Sequence, residues 1–237
     1  MLRPAPAPSD AGAVLKLRTA IVSAAVVAGA LVAPVTPALS APGGVAVSVK
    51  RATAYGKSMT VTVKAANRPR TKMTIRVVAG GTASSKVVTT NAAGVASWSL
   101  AARGSGRVTV NAPGTRTLRA GAGSATFVTA GAATATLTGH TRVVKGVAHY
   151  RSLDAVHADL QILPRHAGQV TVSLQHLSGS SWVTDQNATF ATNKTGGAWV
   201  GLVSGNRTMT YRYVVNAAAD ATAAASPKVT TTPFMVG

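Results

Sequence analysis

Thr90-Asn91-Ala92-Ala93-Gly94-Val95-Ala96-Ser97-Trp98-Ser99-Leu100 is the stretch from which the rest of the chain can be read. Asn and Gly three apart mark a tight turn. A short carboxamide can close on backbone two residues ahead, and glycine accepts a positive φ without steric cost. The same spacing returns as Thr192-Asn193-x-x-Gly196-x-Ala198-x-x-x-Leu202, 102 residues on. Upstream, Met73-x-Ile75-x-Val77 matches Val170-x-Val172-x-Leu174 at 97, and Tyr55 and Pro69 match Tyr150 and Pro164 at 95. Downstream, Val110-Asn111-Ala112 returns as Val215-Asn216-Ala217 at 105. An offset that grows in small steps is the signature of insertions, expected in hairpin turns. The mature chain therefore divides into two related modules, 41–130 and 131–237, each near the ~100 residues usual for a β-sandwich. A repeat argues against one large barrel.

Around the turns the pattern is that of strands. Met59, Val61 and Val63 alternate with polar residues, as do Met73, Ile75 and Val77, then Val108 and Val110, then Val170, Val172 and Leu174. Period two puts one face in a core and the other in water. Gly80-Gly81, Ser178-Gly179-Ser180 and Thr195-Gly196-Gly197 punctuate these runs. No helical period appears in the mature chain, and the Ala-rich 216–226 reads as a loop with a short strand. The expected fold class is all-β: two tandem antiparallel β-sandwiches after an N-terminal signal peptide. Trp98, Phe127 and Tyr55 are expected to fill the first core. Phe190, Tyr150, Tyr211, Tyr213, Phe234, Trp182 and Trp199 are expected to serve the second, with one of Tyr211 and Tyr213, which share a face, in the core, and Trp182 and Trp199 as core or half-buried residues. The other reading of those two Trp, on neighbouring strands, is a sugar-stacking pair.

A strand, a Gly-containing hairpin and Thr-Asn-x-x-Gly-x-Ala leading into an alternating strand resembles the bacterial immunoglobulin-like repeats of secreted actinobacterial proteins. Gly179-Ser180-Ser181-Trp182 is similar to a common variant of the approach to that turn. The resemblance spans both modules. It implies a Greek-key sandwich and an adhesive, spacer or binding role outside the cell, and it transfers no site residue.

Residues 1–40 read as a signal peptide with an N-terminal extension. Lys16 and Arg18 precede the uncharged run Ala20–Ala33, Pro34 and Pro37 break it, and Ala38-Leu39-Ser40 supplies small residues for cleavage after Ser40. The run is short for a membrane span, which needs ~20 apolar residues. The preamble before Val14 is long for such a signal, so Val14 is a candidate translation start. A bias toward Ala, Gly, Val, Thr and Arg fits a GC-rich bacterial genome. The protein is expected to be secreted or held at the cell envelope.

Composition closes off much chemistry. The chain of 237 residues has no Cys and no Glu; its five acids are Asp10, Asp154, Asp159, Asp185 and Asp220. Disulfides, thiolate nucleophiles and Cys-held metals are thereby excluded. All five His fall in the second module. His157 and Asp159 share a face if 155–160 is a strand, but a His-x-Asp pair is too small a signature for a metal site or a triad. The scattered Asp residues do not supply a calcium cage. No enzyme activity, cofactor or metal is expected. Asn187-Ala-Thr, Asn193-Lys-Thr and Asn206-Arg-Thr read as turn chemistry.

Charge is the sharpest remaining feature. The chain has 24 Lys and Arg and a formal net charge of +19. Residues 41–130 hold 13 cations and no acid, whereas 131–237 hold eight cations and four Asp. A field of that sign attracts polyanions. The candidate contacts lie on three expected loops: Arg68, Arg70 and Lys72; Arg103 and Arg107; Arg116 and Arg119. The expected partners are an anionic cell-wall polymer, an acidic glycan or lipid headgroups. Nucleic acid is disfavoured, because no groove-reading helix or aromatic-bearing sequence motif is present. The competing readings are a solubility coat and a carbohydrate-recognition or enzyme-accessory module.

Overall fold

The computed structural model of the protein describes residues 44–50 and 54–237, so the signal segment and Arg51 lie outside the described residues. All regular structure in it is β. Among these residues no helix is long and apolar enough to cross a membrane. The chain forms two units, 44–132 with 219–226 and 133–218 with 227–237.

The first unit is built from β1 (Val45–Lys50), β2 (Ser58–Ala65), β3 (Lys72–Ala79), β4 (Thr82–Thr89), β5 (Val95–Ala101), β6 (Gly106–Ala112) and β7 (Gly121–Phe127). They form two antiparallel sheets, in the orders β1-β2-β5 and β4-β3-β6-β7. The connections β2–β3, β4–β5 and β5–β6 cross between the sheets, which is how a Greek-key sandwich closes. The alternating residues behave as their period dictates. Met59, Val61 and Val63 from one sheet meet Met73, Ile75, Val77, Val108 and Val110 from the other, all buried, with Phe127 closing one end. Trp98 packs against this core half-buried. Tyr55 is half-buried and lies outside the cluster, contrary to expectation.

The second unit repeats the plan with β8 (Ala132–Thr138), β9 (Arg142–Val144), β10 (Val147–Tyr150), β11 (His157–Leu163), β12 (Gln169–Ser178), β13 (Ser181–Ala191), β14 (Gly197–Gly201), β15 (Thr210–Ala217), β16 (Val229–Thr230) and β17 (Phe234–Val236). Its sheets run β14-β11-β8 and β13-β12-β15-β17-β10-β9, with β16 also on β15. The repeated registers coincide: Ile75 faces Val110 as Val172 faces Val215. The hairpin β9–β10 has no counterpart among the described residues of the first unit, and β10 adds to β17 in parallel. The growth in offset from 97 to 102 was expected in turns. It lies instead in longer strands, since β12 and β13 have 10 and 11 residues against 8 each in β3 and β4. Tyr211 and Tyr213 are both core, packed on Phe234.

Residues 216–226 are largely irregular, as expected. The chain leaves the second unit after Ala218, and 219–226, which the sequence division places in the second module, joins the first. Ala224 bridges Ala130, and the Thr222 carbonyl accepts from the Ser105 N–H at 2.6 Å.

Candidate functional site: a basic loop end

The Thr-Asn-x-x-Gly stretch is the device that positions the basic loops. The Asn91 carboxamide oxygen accepts from the N–H groups of Ala93 at 2.9 Å and Val95 at 3.0 Å. Gly94 has φ +72°, and its carbonyl accepts from the Ala65 N–H at 2.9 Å. The Thr90 hydroxyl accepts from the Thr71 N–H at 2.9 Å and donates to the Arg68 carbonyl at 2.6 Å. One residue pair therefore latches the β4–β5 turn to the β2–β3 loop. The second unit reproduces each bond: Asn193 closes on Thr195 and Gly197, Gly196 has φ +80°, and Thr192 ties His166 to Gly168.

Arg68 sits inside this arrangement. It was expected on an exposed basic loop, yet it is 2% exposed. One guanidinium nitrogen donates to the Pro113 carbonyl at 2.7 Å, and the other donates to the Arg119 carbonyl. Its Nε is buried without a hydrogen-bond partner. Among the described residues Arg68 has no carboxylate partner. A buried cation ordinarily has one, because desolvating a full charge costs several kcal/mol. Here carbonyl dipoles alone hold it. Arg68 is thus a strut and not a ligand contact: it pins both ends of the β6–β7 loop to the β2–β3 loop.

The strut brings together four of the candidate cations and leaves out two. Arg70 and Lys72 lie on or beside the β2–β3 loop, and Arg116 and Arg119 on the β6–β7 loop; all four are exposed. Arg70 has φ +50°, and its N–H bonds the Asn91 carbonyl at 3.3 Å. Arg116 stands at the apex of a turn closed by the Thr115 N–H on the Leu118 carbonyl at 2.7 Å. Beside these loops opens a cleft of about 770 Å³, lined by Lys72, Thr74, Asn111, Pro113 and Ala120 among others. Arg107 lies on the outer face of the four-stranded sheet, where it donates to the Ser124 hydroxyl at 2.8 Å. Arg103 lies at the opposite end, past β5, and lines a smaller cleft of about 230 Å³ with Trp98 and Leu100.

Within the described residues of the first unit the one acid is Asp220, carried in by 219–226. Its carboxylate accepts from the Thr222 N–H at 2.7 Å, the Thr222 hydroxyl at 2.6 Å and the Ala223 N–H at 3.1 Å. That carboxylate closes its own turn.

In the second unit His157 and Asp159 do share a face of β11, with Nε2 and Oδ1 2.9 Å apart. No group of three or more metal-ligating side chains occurs among the described residues. Trp182 and Trp199, both half-buried, are on β13 and β14, which belong to different sheets. They form no coplanar pair: Trp182 carries the Arg212 guanidinium 4.2 Å from its ring centre, and Trp199 stacks on His157. Asn193 and Asn206 cap turns, each accepting the hydroxyl of the Thr two residues on. Asn187 differs, lying on β13 and bonded to Ser173.

No protein-family model matches the sequence, and no curated protein matches it significantly. Among solved structures it is similar to a two-domain fibronectin type III segment of chicken tenascin, 10% identical, TM-score 0.42, covering 78% of this chain and 94% of that one. It is similar to fibronectin(III)-like modules of Clostridium thermocellum CbhA, 16% identical, TM-score 0.27, covering 81% and 93%. It is also similar to a putative membrane anchored protein from Corynebacterium diphtheriae, 12% identical, TM-score 0.29, covering 82% and 59%. These neighbours are fibronectin type III- and immunoglobulin-like domains, and they include bacterial surface proteins.

Proposed function

We propose that this chain is an exported, non-enzymatic pair of immunoglobulin-like sandwiches that holds to an anionic polymer of the cell envelope through the loop end of its first unit. The observation that carries the reading is Arg68. A buried guanidinium with no counter-ion among the described residues ties together the two loops that expose Arg70, Arg116 and Arg119, with Lys72 beside them. Structural economy would favour an apolar residue at that point, so an acid-poor end built around a charged strut fits a partner that brings the negative charge. The resemblance to repeats of secreted actinobacterial proteins and the signal-like segment fit the same location. Arginine suits phosphate or carboxylate, through paired N–H donors in a fixed plane.

The test is co-sedimentation of the full chain with isolated Gram-positive cell walls, with and without chemical removal of their phosphate polymers. Retention is expected to fall at least tenfold between low salt and ~0.5 M salt, where screening shortens electrostatic reach to a few Å. An Arg70/Arg116/Arg119→Ser variant is expected to lose retention at every salt concentration. Salt-insensitive retention, or wild-type retention by that variant, overturns the reading.

A further inference from the structure

A second cleft, in the second unit, has a chemistry unlike the first. It measures about 570 Å³ and is lined by Ser152, Asp154, His157, Trp199, Leu202 and Arg207 among others. Strand register builds its wall. On the outer face of β11 and β14, Asp159 stands opposite Trp199, and His157 stands opposite Gly201. Gly201 lies on the same face as Trp199, and a Cβ there would rest in ordinary contact with the indole edge, at 3.6 Å. The His157 ring stacks on that indole at 5.0 Å and 15°, while its Nε2 holds Asp159 at 2.9 Å. A hydrogen bond and a stack thus fix the orientation of Trp199. β14 is the edge strand of its sheet, and no second ring or cation packs on the indole among the described residues.

The groups around this platform are complementary in kind. Asp154 is exposed, and the Ser152 hydroxyl favours its ionised form. Arg207, also exposed, comes from the β14–β15 loop. A fixed aromatic face beside one acceptor-only and one donor-only group suits a molecule with an apolar C–H face and a rim of hydroxyls. That is a pyranose ring. We propose that this cleft binds one sugar residue of a neutral glycan, stacked on Trp199, with its hydroxyls donated to Asp154 and accepting from Arg207. The volume falls within the range of small-ligand sites, ~300–1,000 Å³. The opposite charges of Asp154 and Arg207 balance in the cleft, which suits a neutral ring, so the ligand class differs from that of the basic loop end, and neither site requires the other.

The experiment is titration of the full chain with soluble β-1,4-linked hexasaccharides of glucose, mannose and N-acetylglucosamine, followed by tryptophan fluorescence and calorimetry. Saturable binding of at least one is expected, abolished by Trp199→Ala, weakened about tenfold by Asp154→Asn and by Arg207→Ser, and retained by Trp182→Phe. Wall retention of these variants is expected to stay at the unaltered level, which separates this site from the first. Absence of saturable binding to all three, or binding that survives Trp199→Ala, overturns the proposal. Should Trp199→Ala fail to fold, unchanged titration of both Asp154→Asn and Arg207→Ser, whose side chains are exposed, overturns it equally.

Discussion

Gly94 and Gly196 occupy the same place in the two units, yet they do not have the same surroundings. A Cβ on Gly94 would lie 2.3 Å from the Ala65 carbonyl oxygen, a backbone atom that its own strand pairing fixes. On Gly196 it would meet the Gln161 amide nitrogen at 2.7 Å and the Ile162 carbonyl oxygen at 2.8 Å. Each site presents a strand carbonyl, but the approach at Gly94 is the closer of the two, and the second neighbour at Gly196 is the end of a flexible glutamine that can move. Positive φ adds ~1 kcal/mol for any L side chain. Gly94→Ala is therefore expected to cost about 3–4 kcal/mol and Gly196→Ala about 2 kcal/mol, measured by urea unfolding. The tyrosines of the second core differ in another way. The Tyr150 hydroxyl donates to the Thr138 carbonyl at 2.9 Å, while the Tyr213 hydroxyl is buried without a partner. Removing a buried unmet group is neutral or favourable, so Tyr213→Phe is expected to leave stability unchanged or raise it by up to about 1 kcal/mol. Burial pushes the Tyr150 hydroxyl from 10.0 up to about 12, and burial beside Tyr150 pushes Tyr213 up as well. Below pH 10 both states hold the proton and stability is unaffected. Above it the unfolded phenol ionises first, so stability is lost as pH rises from 10 through 12. Denaturation midpoints across that window should fall, and fall less in Tyr150→Phe.

At the scale of elements, the edge strand β4 shows how an exposed row of backbone groups is kept from pairing. Its inward positions Thr82, Ser84 and Lys86 are exposed, and only Val88 of that face is buried. An inward-pointing lysine blocks a second strand from adding on. Its outer face meanwhile carries Val87, 61% exposed. Lys86→Val would leave three consecutive valines on an open edge, and light scattering is expected to show concentration-dependent association that the unaltered chain lacks. The β6–β7 loop poses the converse question, since one side chain holds it. Arg68→Ala removes both donors to its carbonyls, so hydrogen exchange at Thr115 and Leu118 is expected to quicken without any exposed cation being lost. The latch explains what the sequence could and could not convey. Thr90, Asn91 and Gly94 were legible because each acts on neighbours a few residues away, or through a spacing that recurs. Arg68 was not: in Arg68-Pro69-Arg70-Thr71-Lys72 nothing local separates the one guanidinium that turns inward from those that stay in water. Its acceptors lie 45 and 51 residues downstream.

Across the whole molecule the same limit applies to long-range returns. Period-two alternation located the cores, because burial of every second side chain is written in adjacent residues. The β9–β10 hairpin and the return of 219–226 to the first unit depend on partners far along the chain. So does the stack of His157 on Trp199, which only the β11–β14 register creates. Net charge, by contrast, needed no structure: it is a sum, and the fold only distributes it. Exposed cations repel one another within the first unit, where the carboxylate of the single described acid is engaged in a turn. The second unit instead intersperses Asp154, Asp159 and Asp185 among its cations. Physiological salt shortens the reach of repulsion between surface charges to about 8–10 Å, and it shortens attraction equally. Raising sodium chloride should therefore stabilise the first unit and leave the second unchanged or slightly weaker. Native-state hydrogen exchange at the central strands β6 and β15 reads each unit by its own amides. Protection at Val108 and Val110 is expected to increase between low and physiological salt, and that at Tyr213 and Val215 is not. The Arg70/Arg116/Arg119→Ser variant should flatten the response of β6 alone, because it removes part of the repulsion that salt would otherwise relieve. Equal responses of the two strands would mean that the cations are too dispersed to act as one field, and the electrostatic account of the basic end would fail with them.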